Sequence, residues 1–181
     1  MTLRQEINFF AGDRSQESAE QAGRFETMVD PLVPLILRYF VRRLDNRDDA
    51  ADCTAETLLV LWRRRAKLPP EPDELRAWSY GVARLVLANH QRGKRRRAAV
   101  DHSLRQALRV QNPPPPDEAI LAVEALKSLR GADQELLRLV VWEQLSVADA
   151  GRVLGITPGA ARTRYSRALG RLRHRFAAIN E

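Results

Sequence analysis

Three carboxylates, Asp49, Asp52 and Glu56, recur at i, i+3 and i+7, a spacing that lines them along one face of a helix. A hard cation needs about six oxygens converging on it, which a single helix face does not supply. Acid also repels phosphate, so this stripe suits a protein partner. The single cysteine, Cys53, lies in the same helical stretch and reads as a small packed residue. One cysteine excludes an intrachain disulfide and points to a reducing compartment. His90, His102 and His174 form no ligand-spaced cluster with it. The sequence carries no P-loop glycine pattern and no nucleophile motif. These residues predict a protein that is not an enzyme and needs no metal and no cofactor.

A second group of residues suits nucleic acid. Trp78 and Tyr80 are followed by Arg84, Asn89, His90 and Arg92, then by a basic run through Arg97 that includes Lys94 and Arg95. Aromatic faces beside cations are what unpaired DNA requires, although Trp78 alone would read as a core residue. The chain carries 30 Lys and Arg against 23 Asp and Glu, a net charge of +7, in keeping with a polyanionic partner.

The sharpest local pattern is at residues 146–176. Ser146 caps a short helix, with Asp149 three residues on. Val147, Ala150, Val153 and Leu154 form its apolar side, Gly155 ends it in a left-handed conformation, and Ile156 plugs the turn. Thr157-Pro158 then starts a second helix, with proline at its first position. This second helix buries Ala161, Tyr165, Ala168, Leu169, Leu172 and Phe176, and carries Arg164, Arg167, Arg171 and Arg175 on another face. Two helices across a three-residue turn predict a helix-turn-helix reading the DNA major groove. Thr157, Gly159, Ala160, Arg162, Thr163, Ser166 and Arg167 would meet bases or phosphates.

The elements that must position these groups are all helical, so the fold class is all-α, in two small domains. Residues 1–24 are mostly polar and read as a flexible arm, apart from the apolar cluster Ile7, Phe9 and Phe10. Residues 25–97 form the first domain. Phe25, Val29, Leu32, Ile36, Tyr39 and Phe40 recur at helical spacing. A second helix over about 48–66 has Ala51, Ala55, Leu58, Leu61 and Trp62 as its apolar stripe, opposite the acids. A third, over about 74–92, places Leu75, Trp78, Val82, Leu85, Val86 and Asn89 on one face. Residues 98–116 read as a linker, because Pro113 to Pro116 cannot be helical. Residues 117–181 form the second domain, with one helix carrying Ile120, Val123, Leu126 and Leu129 and another carrying Leu136, Leu137, Val140 and Val141 ahead of the helix-turn-helix. No apolar run approaches the roughly 20 residues that span a bilayer, and no signal peptide opens the chain; a cytoplasmic location without membrane attachment is expected.

The order of these parts resembles the sigma-70 family. Asp48-Asp-Ala-Ala-Asp-Cys-Thr-Ala-Glu-Thr-Leu-Leu-Val-Leu-Trp, Arg76-Ala-Trp-Ser-Tyr-Gly-Val-Ala-Arg and Asn89-His resemble its region 2, and the stretch from Leu145 to Ala168 resembles its region 4. With only these two regions, the chain resembles an extracytoplasmic-function (group 4) sigma factor over residues 25–176. The resemblance implies that Asp49, Asp52 and Glu56 bind core RNA polymerase. It implies that Trp78, Tyr80, Arg84, Asn89, Arg92, Lys94 and Arg95, with the loop Leu68–Leu75, open the −10 promoter element and capture a flipped base. It implies that the helix-turn-helix reads the −35 element. Promoter DNA and an anti-sigma factor are the further partners it suggests. The chain departs from the family at Leu85, where asparagine is frequent, at Ala160, where threonine is common, and in the three prolines at 69–72. A helix-turn-helix regulator acting without polymerase is the alternative function.

Overall fold

A computed structural model describes residues 20–100 and 129–179. The expected Ile7, Phe9 and Phe10 cluster, the Pro113–Pro116 linker and the helix through Leu126 lie outside them. Every regular element among the described residues is helical. The helix α1 covers residues 20–29, so helix begins inside the stretch read as a polar arm. Pro31 and Pro34 then divide the expected first helix. A 3-10 turn, Asp30–Leu32, is followed by α2, Val33–Val41, with a proline in the first positions of each, where the missing N–H costs nothing.

The next helix, α3, Arg47–Arg63, is capped by the Asn46 side chain, which accepts from the Asp48 amide at 2.9 Å. Its buried face is Ala50, Cys53, Thr54, Thr57 and Leu61. That corrects the expected stripe, since Ala51 and Ala55 are exposed. The reason is local. Thr54 and Thr57 donate their hydroxyls to the carbonyls of Ala50 and Cys53, at 2.7 and 2.8 Å. A hydroxyl satisfied by its own helix can be buried at little cost. The short turn Arg65–Lys67 leads to α4, Pro72–Val100. This helix runs through the basic segment and past the expected end near 92.

Phe25 meets Trp62 edge to face at 5.1 Å, tying α1 to α3. Ile36, Tyr39, Phe40, Leu61, Tyr80 and Ala83 form the centre of the first bundle. Each large apolar side chain buried there contributes about 1.5–3 kcal/mol.

The second described stretch holds α5, Gly131–Val141, α6, Val147–Leu154, and α7, Pro158–Ile179. Ser146 Oγ accepts from the Asp149 amide at 3.1 Å and donates to its carboxylate. Gly155 takes φ 70°, and the Ile156 amide returns to the Gly151 carbonyl at 3.0 Å, a left-handed helix stop. Thr157 Oγ1 accepts from the Ala160 amide at 3.3 Å. Leu129, Leu137 and Ala168 close a small core between α5 and α7.

The two bundles also share a core. Leu136, Leu139, Leu145, Ala150 and Val153 belong to the same apolar cluster as Ile36, Phe40 and Tyr80. The sequence predicted two separately packed domains; their apolar contact is a structural result.

Candidate nucleic-acid interface

The second helix of the helix-turn-helix presents its N-terminal end to solvent. All seven expected readers, Thr157, Gly159, Ala160, Arg162, Thr163, Ser166 and Arg167, are exposed. The face behind them is buried through Ala161 and Ala168. Not every arginine of α7 is free. Arg171 donates to Asp133 at 2.8 Å, and Arg164 lies 3.6 Å from the same carboxylate. These two hold α7 against α5 rather than facing a ligand. The helices α6 and α7 cross at Gly151, where an added Cβ would stand 2.8 Å from the Ala161 Cβ and 3.3 Å from the Ile156 carbonyl oxygen. Sequence reasoning missed Gly151, because a glycine inside a helical pattern marks close approach only once the partner helix is known.

On α4 the expected group divides. Tyr80 is 1% exposed, so it is a core residue and not a stacking platform. Its ring lies 5.6 Å from that of Tyr39, and its hydroxyl donates to Glu143 at 3.4 Å. Burial, then the Glu143 charge, pushes its phenol up to about 12. Trp78 is half-buried against the core. Its accessible side lines a groove of about 410 Å³ with Arg64, Pro69, Arg84, Leu85 and, across it, Arg152 and Gly155. Leu85, expected on the buried face, is 60% exposed. Asn89, also expected there, is exposed and accepts from Arg92 at 2.5 Å. Arg92, Lys94 and Arg95 are exposed, and Arg84 is half-buried at the groove.

The acidic stripe is similarly uneven. Asp52 and Glu56 are exposed, beside Leu59 at 53%. Asp49 is turned toward α4, with Lys94 Nζ at 3.0 Å and His90 Nε2 at 3.4 Å. Partial burial works against its charge, but the Lys94 ammonium outweighs it and holds the carboxyl below its usual range. Two residues expected to serve different partners, Asp49 and Lys94, are thus bonded to each other. Cys53 is buried, its thiol pushed up to about 11 by burial and the neighbouring acids, which leaves it inert as a nucleophile. Among the described residues, no group of three His, Cys, Asp or Glu side chains is placed to hold a metal, and no helix is long and apolar enough to cross a membrane.

A set of contacts that sequence reasoning did not find joins the two bundles. Arg43, in the turn after α2, sits between Glu143 at 2.9 Å and Glu135 at 3.1 Å, with its guanidinium 3.7 Å from the centroid of the Tyr39 ring. Burial opposes its charge, yet Glu135 beside it leaves the guanidinium still harder to deprotonate than usual. Tyr39 donates to Glu135 at 3.3 Å. Arg42 lies 3.3 Å from Glu143. Arg76 donates at 2.6 Å to the carbonyl of Gln144, which holds an unusual positive φ of 54°.

Models of two families match the chain: Sigma-70 region 2 over residues 28–97 and Sigma-70, region 4 over residues 120–172. The ECF RNA polymerase sigma factor SigF of Caulobacter vibrioides is 32% identical over 139 residues, 76% of this chain and 77% of that protein. The ECF RNA polymerase sigma factor BldN of Streptomyces coelicolor is 28% identical over 159 residues, 83% of this chain; the match spans 60% of BldN. Among solved structures, the sigma factor RpoE of Bartonella quintana, in complex with the anti-sigma factor NepR, superposes with a TM-score of 0.64 at 20% identity, covering 85% of this chain and 97% of that one. CnrH, in complex with the cytosolic domain of CnrY, gives 0.60 at 20% identity over 91% and 94%. These two likenesses concern the fold. The two family models, in order, and a relative at 32% identity over three quarters of both chains place the sequence: it belongs to the extracytoplasmic-function sigma factors of the sigma-70 family.

Proposed function

We propose that this chain binds core RNA polymerase and directs promoter-specific initiation from the cytoplasm, with residues 25–97 opening the −10 element and residues 117–181 reading the −35 element. The observation that carries the DNA assignment is the exposed N-terminal end of α7, Thr157 to Arg167, mounted on a rigid α6–α7 crossing. Arg162 and Arg167 supply charge to bases or phosphates, and Gly159 and Ala160 let the backbone come close. On α4, Arg84, Asn89, Arg92 and Arg95, with the open side of Trp78, are accessible for melted DNA. The loop Leu68–Leu75 beside them would hold a flipped base, whose unstacking costs a few kcal/mol. Lys94 would have to leave Asp49 to join them.

Asp52 and Glu56, with Leu59 about one turn further along α3, form the surface that we assign to polymerase; Asp49 contributes at its edge. An exposed apolar side chain beside acidic ones suits a protein partner. The residues ahead of α1 would form an arm, and those between α4 and residue 117 the linker. The complexes of RpoE with NepR and of CnrH with CnrY support a protein antagonist for this chain as well. A regulator acting without polymerase is not favoured, since it leaves the region 2 match unused.

Reconstitution tests the function. The protein mixed with bacterial core polymerase and a promoter library should yield transcripts that start at a shared promoter class. Failure both to co-purify with core and to direct any initiation would overturn the proposal.

A further inference from the structure

We propose that the apolar cluster Ile7, Phe9 and Phe10, near the start of the chain, folds back into a groove between α1 and the turn that follows α3. The contact goes beyond the promoter reading and does not rest on it.

The groove is built by one face of one helix. Gln21, Arg24, Phe25 and Met28 stand at i, i+3, i+4 and i+7, so they share a side of α1. They line a groove of about 400 Å³ whose opposite wall comes from Arg63, Arg65 and Leu68. Phe25 and Leu68 are half-buried against the core, and Met28 is 36% exposed. Arg24, Arg63 and Arg65 are exposed around this apolar floor. Arg65 is stacked on Trp62, 4.3 Å from the ring centroid. Among the described residues, no carboxylate forms an ion pair with any of the three arginines. Apolar surface ringed by unmatched cations suits a segment that is itself apolar and acidic.

The start of the chain has that composition. The span Glu6–Asp13 holds two acids, three large apolar side chains and no base. It is also tethered at the groove. Helix α1 begins at residue 20, one residue before the first groove residue, Gln21. The chain from Phe10 to Glu20 reaches up to about 33 Å when extended. The face from Gln21 to Met28 is only about 10 Å long at 1.5 Å per residue. Gly12, Ser15 and Ser18 lie in the connecting stretch and suit a reversal of direction. A short tether of this kind gives a local concentration in the millimolar range. A second copy or an unlinked partner competes against that advantage.

Apolar burial supplies most of the attraction. Ion pairs from Glu6 and Asp13 to the exposed arginines add little strength but fix which way the segment lies. The contact would also brace α1, which meets α3 through the edge-to-face pair Phe25 and Trp62. Losing the segment should therefore loosen α1 before any other helix.

Photo-cross-linking of the full-length protein maps the contact. With p-benzoylphenylalanine in place of Phe10, irradiation should join position 10 to residues 21–28 or 63–68 of the same chain. Met28→Glu puts a carboxylate on the apolar floor and should cut that yield about tenfold. Cross-links that form only between copies, or only to other parts of the chain, would overturn the proposal.

Hydrogen exchange tests the contact without a bulky probe. Phe9→Ser/Phe10→Ser leaves every residue of the groove in place. It should speed amide exchange over residues 24–29 and 65–68 about tenfold and leave α5 to α7 unchanged. Exchange in α1 and residues 65–68 equal to wild type would overturn the proposal. So would protection of α1 that arises only when core polymerase is added, since that would make polymerase the occupant.

Discussion

Arg43 and Glu143 stand 100 residues apart in sequence and meet at 2.9 Å with both side chains 2% exposed. Removing one partner of such a pair within a single rigid domain costs about 3–5 kcal/mol, because the other is left charged and dry. Here the pair joins two bundles, so the protein has a second option, which is to separate them and rehydrate the orphan. Glu143→Gln should therefore lower the global melting temperature by less than that cost implies. It should also raise amide hydrogen exchange at residues 39–43 and 139–145 well above wild type. A large drop in melting temperature with unchanged exchange there would mean that the bundles do not part.

The acidic stripe leads to a prediction about partner choice. Asp52→Lys or Glu56→Lys should weaken core polymerase binding at least about tenfold, or 1.4 kcal/mol, since reversal puts like charge against a basic surface. Binding of −35 duplex should not change. Asp49→Asn should act less strongly on polymerase, because Asp49 is already engaged by Lys94 and His90. Pull-down and duplex titration on the same preparations separate the two effects; equal loss in both assays would count against the assigned faces.

The helix-turn-helix was the most legible part of the sequence because its signals are local. Ser146, Gly155, Thr157 and Pro158 each state a cap or a stop, and the structure places each in that role. The face of α3 was misjudged because Thr54 and Thr57 look polar in sequence and are buried in fact, their hydroxyls absorbed by the helix that carries them. Ser79 does the same on α4, at 2.8 Å from the Leu75 carbonyl, and Tyr80 beside it reads equally well as a stacking aromatic or a core one. The ion pairs between the bundles were invisible for a different reason. Arg43, Glu135 and Glu143 have no periodic relation, and each looks like an ordinary surface charge until the bundles meet.

Two arginines on α7 should separate by role. Arg162 is exposed at the reading end, whereas Arg171 is committed to Asp133. Arg162→Ala should cost about 1–3 kcal/mol of −35 binding if it reads a base, or reduce the salt slope by about one unit if it holds a phosphate. Arg171→Ala should leave the salt slope alone and lower the stability of the second bundle. Duplex titrations at several salt concentrations, with thermal melts alongside, distinguish them.

Gly151 should tolerate no larger residue without adjustment. The Cβ of Gly151→Ala would stand 2.8 Å from the Ala161 Cβ, and neither atom is at the end of a flexible chain. Overpacking of this kind costs about 1–3 kcal/mol. Ala161→Gly alone costs about 1 kcal/mol of helix propensity, but it removes the opposing methyl. The double variant should therefore be more stable than the sum of the two single changes predicts, which a thermal double-mutant cycle would show. Simple additivity would mean that α6 and α7 do not cross there.

The cap of α6 should give the helix-turn-helix a measurable acid sensitivity. Partial burial raises the Asp149 carboxyl, but the Ser146 hydroxyl and then the Arg152 guanidinium outweigh it and hold the group below its usual range. The folded value thus lies below the unfolded one. The stabilisation is complete above the unfolded value of about 3.9 and is lost as pH falls through the folded value. Asp149→Asn removes the charge at the helix start, worth about 0.3–1 kcal/mol for a largely exposed carboxylate. Near neutral pH the variant should be less stable than wild type by about that amount and melt at a lower temperature. The gap should narrow as pH falls below about 4, where the wild-type carboxylate is itself being neutralised. A gap that stays constant down to pH 2 would assign the loss to packing rather than to charge.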